Sequence, residues 1–191
     1  MTLIMFLCSK SINIQSRYGL QRIVLISALV SFLTFIVTYE IFNYIQTEPL
    51  KDDKFILFLF VLCLIYPIHK LLHLIVLMYY RKSFKMNKTT KAKRALPLYN
   101  IRVDQPVNKI VFCFALICPL VTITTLSIAL VNIIPQYGHY ILFIMSINIG
   151  ISIIDLLYLK IILFTKKGTY IEERKNGIEL LTKRSLDAEH L

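Results

Sequence analysis

The chain has 191 residues, of which 57% are hydrophobic, and its mean hydropathy is +0.66. This apolar share exceeds the roughly 45–50% of soluble domains and excludes an ordinary soluble fold, because too much apolar surface would remain in water. The formal net charge is +11, but the basic residues lie beside long apolar runs, where we expect them to face anionic lipid rather than nucleic acid. We therefore expect membrane lipid as a partner and no nucleic acid.

Four apolar runs are each long enough to cross the hydrocarbon core of a bilayer, which takes about 20 helical residues. They cover residues 23–45, 55–80, 110–134 and 140–164. Helices are expected because every backbone polar group must be satisfied inside the lipid and the alternating pattern of a barrel is not evident. The first run lacks a small-residue cleavage site after it and is interpreted as a retained anchor. The sequence predicts an all-α membrane protein with four transmembrane helices in a single domain, residues 1–191.

Lysine and arginine are distributed unequally among the segments that flank these runs. The N-terminal segment, the long loop after the second run and the C-terminal tail together hold eighteen of them, whereas the other two connections hold Lys51 and Lys54. The positive-inside rule assigns the richer side to the cytoplasm. We predict a multi-pass protein of the cell membrane with both termini and the long loop in the cytoplasm.

The predicted cytoplasmic tail, residues 165–191, contains a hairpin signal. Segments 169–172 and 178–181 flank Asn176-Gly177, a pair that favours the positive φ angles of tight hairpin turns. The tail is therefore predicted to form a small cytoplasmic β-hairpin. A further candidate strand, residues 98–103 of the long loop, could pair with it.

The second apolar run contains ionisable residues that are expensive in lipid and therefore mark a candidate functional site. His69, Lys70 and His73 lie on one broad stripe of a helix, and the two histidines are separated by one turn. Two imidazoles at this spacing can bind one metal ion. Pro119 in the third run predicts a kink that leaves room beside them.

The fourth run carries a second polar stripe, in which Asn148, Ser152 and Asp155 are spaced by four and three residues. Both runs are predicted to pass from outside to inside. At 1.5 Å per residue, His69, His73 and Asp155 then lie roughly 10–17 Å above the inner boundary, close enough in depth to meet. Two histidines and one carboxylate would make a three-ligand zinc site with a fourth position open.

These residues also resemble a known family. The segment Ile68-His69-Lys70-Leu71-Leu72-His73 resembles the HExxH zinc helix, and the stretch from Asn148 through Asp155 to Gly177 resembles the second block of the bacterial family catalogued as putative zincin peptidases, domain of unknown function 3267. The resemblance implies zinc bound by His69, His73 and Asp155. The arrangement is also similar to site-2 proteases, which cut other membrane proteins within the bilayer, so a membrane-protein substrate or partner is implied.

The sequence departs from this pattern at the residue after the first histidine. In HExxH enzymes a glutamate there takes a proton from the attacking water, and here the catalytic position holds Lys70. Ile154 also stands before Asp155, where a glycine is expected. Three hypotheses remain open. The protein is an active membrane-embedded zinc peptidase, or it is a zinc-binding relative without activity. In the third, it is a scaffold or regulatory binding protein with a metal-free polar core built on a Lys70–Asp155 pair. A transporter is less favoured, because one polar cluster gives no path through the bundle.

Overall fold

The computed structural model describes residues 3–47, 49–79, 106–165, 168–174 and 177–186. Within these ranges the helices are α1 (Ile14–Tyr18), α2 (Leu20–Ile45), α3 (Phe55–Tyr79), α4 (Lys109–Ile133), α5 (Gly138–Ile151) and α6 (Ile153–Phe164). The strands are β1 (Leu3–Ile12), β2 (Val107–Asn108), β3 (Tyr170–Arg174) and β4 (Gly177–Leu186).

Four stretches of helix are long and apolar enough to cross a membrane, and they match the four predicted spans to within a few residues. They are α2, α3, α4 and the combined stretch Pro135–Phe164. The last stretch differs from the prediction because it is divided into α5 and α6 at Ser152. The backbone N–H and the hydroxyl of Ser152 both donate to the carbonyl of Asn148, at 3.0 and 2.8 Å. The division places Asp155 in the first turn of α6.

The helices pack around α4 and α5. Helix α2 packs against α5, and α3 packs mainly against α4. In the most apolar stretch of α2 only 6% of the residues are buried, compared with 33% in the stretch that contains α5 and α6. Most of the large apolar side chains on α2, including Leu25 and Phe32, therefore point away from the bundle. A surface of this kind suits a lipid environment, because in water its exposure would be strongly unfavourable.

The strands form one antiparallel sheet in the order β1-β4-β3-β2. The predicted hairpin is confirmed as the β3–β4 pair, with Arg174 opposite Gly177. The prediction of an all-α protein with a two-stranded element underestimated the number of strands. The sheet is larger than the hairpin because β1 also pairs along β4 and β2 pairs with β3. The protein is mostly helical with a four-stranded sheet. The candidate strand at residues 98–103 lies outside the described ranges.

The sheet packs on one end of the helix bundle. Ile171, Ile178 and Leu180 are buried in the same apolar cluster as Phe112 of α4 and Ile162 of α6. The start of α4 is also tied to the tail, because the backbone N–H of its first residue donates to the carbonyl of residue 169 at 2.9 Å. The sheet thus brings together the N-terminal segment, the start of α4 and the C-terminal tail at one end of the bundle.

The two short connections meet at the opposite end. The backbone N–H of Lys51 donates to the carbonyl of Gln136 at 3.0 Å, and the hydroxyl of Tyr137 donates to the carboxylate of Asp53 at 3.0 Å. This hydrogen bond from Tyr137 holds the pKa of the Asp53 carboxyl below its usual value. Within the described residues, the N-terminal segment and the tail thus lie at one end of the bundle and the two connections poor in lysine and arginine at the other.

Candidate metal centre

The three predicted ligand residues converge between α3 and α6. His69 and His73 lie one turn apart on α3, and Asp155 comes from the first turn of α6. His69 is 2% exposed, whereas His73 and Asp155 are partly buried. The spacing of the two histidines follows from helix geometry, but the approach of Asp155 depends on the packing of two separate helices. The convergence that the two polar stripes predicted is therefore present in the structure.

The three potential ligand atoms form a nearly equilateral triangle. The Nε2 atom of His69 lies 3.1 Å from Nε2 of His73 and 3.0 Å from Oδ2 of Asp155. The third side, from Nε2 of His73 to Oδ2 of Asp155, measures 3.4 Å. Zinc bonds of about 2.0–2.1 Å in a tetrahedral site place neighbouring ligand atoms about 3.3–3.4 Å apart. The three atoms therefore fit three corners of a zinc site and leave the fourth corner for another group.

Hydrogen bonds behind the imidazole rings determine which ring nitrogen carries a lone pair. The Nδ1 atom of His69 lies 2.9 Å from Oδ1 of Asn148, and Nδ1 of His73 lies 2.7 Å from the carbonyl oxygen of Ala115. An amide oxygen and a carbonyl oxygen only accept hydrogen bonds, so each Nδ1 must carry the hydrogen and donate it. Both Nε2 atoms are then acceptors, and with the Asp155 carboxylate they direct three lone pairs at one point. Such a group could hold a metal ion.

The backbone of α4 supplies one of these orienting acceptors because of its proline. Pro119 lacks an N–H group, so the carbonyl of Ala115, four residues earlier, has no donor from its own helix. His73 donates to this carbonyl. The carbonyl of Pro119 in turn accepts from the side-chain amide of Asn148 at 3.4 Å, which orients the amide oxygen of Asn148 toward His69.

Lys70 lies beside the two histidines but its ammonium group is directed toward an aromatic ring. Its Nζ atom is 5.0 Å from the centre of the Tyr66 ring, within the range of a cation–π contact, and Tyr66 is 45% exposed. The hypothesis of a metal-free core paired Lys70 with Asp155. In the structure, the described contacts of the Asp155 carboxylate are with the two imidazoles.

Sequence reasoning named the three convergent residues but missed the groups that orient them. Asn148 was identified as part of a polar stripe without a role, and the carbonyl of Ala115 was not considered. The available signal was Pro119, since a proline inside a helix frees the carbonyl four residues before it. The hydroxyl of Ser152, on the same stripe, donates to the backbone carbonyl of Asn148 in α5 rather than to the histidines.

Comparison with known proteins identifies the family. The family model described as putative zincin peptidase, domain of unknown function 3267, matches residues 62–170, which include all three convergent residues and Lys70. Searches of curated proteins and of solved structures gave no match. The matched stretch covers more than half of the chain, and its two histidines and carboxylate form the group that could hold a metal ion. This chain belongs to the putative zincin peptidase family.

Proposed function

We propose that this protein is a membrane-embedded, zinc-binding member of its family, with zinc held by His69, His73 and Asp155. The observation that supports this proposal most strongly is the convergence of three hydrogen-bond acceptors at 3.0–3.4 Å from one another. Acceptors that face each other repel unless a cation or a shared proton lies between them. Two nitrogens and one oxygen at tetrahedral spacing suit Zn²⁺.

Insertion in the cell membrane, with both termini in the cytoplasm, is the second part of the proposal. It is supported by four helices of sufficient length and hydropathy and by the apolar surface of α2. The site lies well inside the second and fourth of these stretches. In that setting, membrane lipid surrounds the bundle and a membrane protein is the partner or substrate that can reach the centre.

The donor set also indicates the kind of chemistry. Three protein ligands with a fourth position open are typical of catalytic rather than structural zinc sites, and zinc bound in this way polarises a carbonyl oxygen and makes water more acidic. The protein must still supply a group that accepts a proton at the reacting centre. Lys70 occupies that place, and a lysine in its usual charged form has no lone pair to accept one. We therefore propose that zinc binding is retained while peptide hydrolysis is slow or lost.

The second candidate is a metal-free polar core in a scaffold or regulatory binding protein. It is favoured by the same contacts, because a proton on one imidazole could bridge Nε2 to the Asp155 carboxylate at 3.0 Å. The two candidates differ in zinc content and can be separated by measuring it.

Zinc stoichiometry of protein purified in detergent tests the proposal. We expect about one zinc per chain in the wild type and a loss of at least tenfold in zinc affinity for His69→Ala, because one of three ligands is removed. His139→Ala is the matched control, since this histidine lies beside Asp52 among the short connections at the other end of the bundle. Elemental analysis after dialysis gives the stoichiometry. A wild type without zinc after incubation with the metal would overturn the zinc proposal and leave the metal-free core.

A further inference from the structure

We propose that Asn148 and Pro119 are positioning residues that set both histidines for zinc before the metal binds. The inference rests on the proposed zinc function. In this inference, contacts with α4 set the orientation of His69 and His73, although none of the three proposed ligand residues lies on α4. The two residues act on different rings by different routes, and both routes meet α4 within the short segment from residue 115 to residue 119.

Pro119 acts on His73 through the backbone. A helix interior normally pairs each carbonyl with the N–H four residues later, so a carbonyl in α4 is ordinarily occupied. Because residue 119 is proline, the carbonyl of Ala115 is left for an outside donor, and it accepts the Nδ1–H of His73 at 2.7 Å. Ala115 is 2% exposed, so water does not compete effectively for this oxygen. The ring is held with its Nε2 lone pair toward His69 and Asp155.

Asn148 acts on His69 through its side chain. Asn148 is fully buried, and its amide is held from both sides: the nitrogen donates to the carbonyl of Pro119 at 3.4 Å and the oxygen accepts from His69 at 2.9 Å. The bond to α4 determines which end of the amide faces the ring. An amide turned the other way would offer hydrogens to Nδ1 and favour the tautomer with hydrogen on Nε2. The Nε2 atom that faces His73 and Asp155 would then have no lone pair for zinc.

Fixing both rings before the metal arrives raises the affinity that the proposed site can reach. An imidazole free to choose its tautomer and rotamer must be ordered when the metal binds, and this ordering weakens the affinity. Loss of such an orienting partner typically lowers metal affinity about 10–100-fold in zinc proteins. We expect effects in this range for removal of either positioning residue.

Asn148 is tested with two substitutions of similar size. Asn148→Leu removes the acceptor for His69, and we expect its zinc affinity to fall about 10–100-fold. Asn148→Asp keeps an acceptor oxygen for Nδ1–H, and we expect its affinity to stay within about threefold of wild type, because carboxylates also serve in this role. Ser146→Ala is the control, since Ser146 is equally buried on α5 and its hydroxyl bonds only within that helix in the described contacts. Competition with a chelator of known affinity gives the values.

Pro119 is tested with Pro119→Ala, which restores an N–H that competes for the carbonyl of Ala115. We expect zinc affinity to fall about 10–100-fold while thermal stability stays equal or rises, because alanine is favoured over proline inside a helix. Thr125→Ala on the same helix is the control, as its hydroxyl bonds within α4. The visible spectrum of the cobalt-substituted protein gives a second readout, since four-coordinate cobalt absorbs more strongly than six-coordinate cobalt.

The outcomes separate this inference from the proposed function. If the wild type binds zinc and Asn148→Leu and Pro119→Ala bind it equally well, the positioning role is wrong and the zinc site stands. If Asn148→Asp is as weak as Asn148→Leu, the acceptor oxygen is not the cause and the inference for Asn148 is overturned. If the wild type itself binds no zinc, the proposed function is wrong, and the positioning role that rests on it is wrong as well.

Discussion

At the scale of single residues, the candidate centre presents three atoms that suit a cation and a lysine next to one of them in the sequence. The three convergent atoms all accept hydrogen bonds, and the two imidazoles are held in the tautomer that exposes Nε2. Under the proposed function, burial strengthens the attraction for a cation, because His69 is 2% exposed and little water screens the site. The same site lacks a carboxylate at position 70, where the family pattern places the group that accepts a proton. Under the proposed function, zinc binding and catalysis are separated between neighbouring residues of one helix.

The substitution Lys70→Glu tests this separation. We expect it to create or raise cleavage of a fluorogenic single-span peptide with a Gly-Pro pair at its centre, because a glutamate supplies the missing base. General bases of this kind contribute about 10²–10⁴-fold to rates. Lys160→Glu, at an exposed position of α6, is the control for the change in charge.

The outcome that contradicts this prediction is specific. If Lys70→Glu binds zinc as the wild type does and still cleaves no faster, position 70 is not what limits hydrolysis. The departure at Ile154, before the ligand Asp155, would then be the next position to change.

At the scale of elements, α2 and α5 approach each other closely at Gly150. Gly150 of α5 faces Ser27 and Ser31 of α2, and a Cβ atom at Gly150 would meet the Ser31 hydroxyl and lie 2.7 Å from the carbonyl oxygen of Ser27. Small residues at helix interfaces in membranes permit this kind of contact. Because Gly150 lies between Asn148 and Asp155, the contact also helps to set the depth of both at the centre.

The substitution Gly150→Ala should therefore separate the two helices. We expect a loss of about 1–3 kcal/mol in stability, because overpacking against backbone cannot be relieved by a rotamer change. Ser31→Ala in the same chain should restore part of the loss, since it removes the hydroxyl contact but leaves the carbonyl of Ser27. Unfolding in detergent followed by circular dichroism measures both. A stable Gly150→Ala single variant would show that α2 and α5 are not in such close contact.

At the scale of the whole molecule, two independent observations divide the chain into the same two sides. By sequence, the N-terminal segment, the long loop and the tail hold eighteen lysine and arginine residues. In the described part of the chain, the sheet gathers the N-terminal segment, the start of α4 and the tail at one end of the bundle. The poorly charged connections meet at the other end through Lys51 and Gln136. Between β1 and β2 the chain passes through two of the long helical stretches, and between β2 and β3 through the other two. If each stretch crosses a membrane once, all four strands must lie on the same side of it.

Thiol labelling tests the orientation. Cys8 on β1 is exposed, and Lys54→Cys in a Cys8→Ser background places a thiol at the other end of the bundle. In intact cells we expect a membrane-impermeant maleimide to label Lys54→Cys and not Cys8, and after permeabilisation both. The reverse pattern would invert the topology, and equal labelling of both sites in intact cells would contradict insertion across the membrane.

The elements and the candidate ligands could be predicted because the signals for them are local. Apolar length identified the four spans, and a separation of four residues placed His69 and His73 on one helix face whatever the helix packed against. The turn signal at Asn176-Gly177 identified the β3–β4 pair in the same way. Strand β1 was missed because an apolar N-terminal segment carries no mark of its partner, which lies more than 160 residues away in β4.

The sequence alone therefore determined the four apolar helical stretches, the unequal distribution of lysine and arginine among the segments that flank them, and the residue types available at the candidate centre, since these depend on composition and on spacing within one element. Tertiary structure decided how α3, α4 and α6 are rotated against each other. That rotation brings Asp155 within 3.0 Å of His69 and places the carbonyl freed by Pro119 at His73. The polar stripes indicated which residues could meet, but the contacts themselves depend on the packing of every residue at the helix interfaces, which no local pattern encodes.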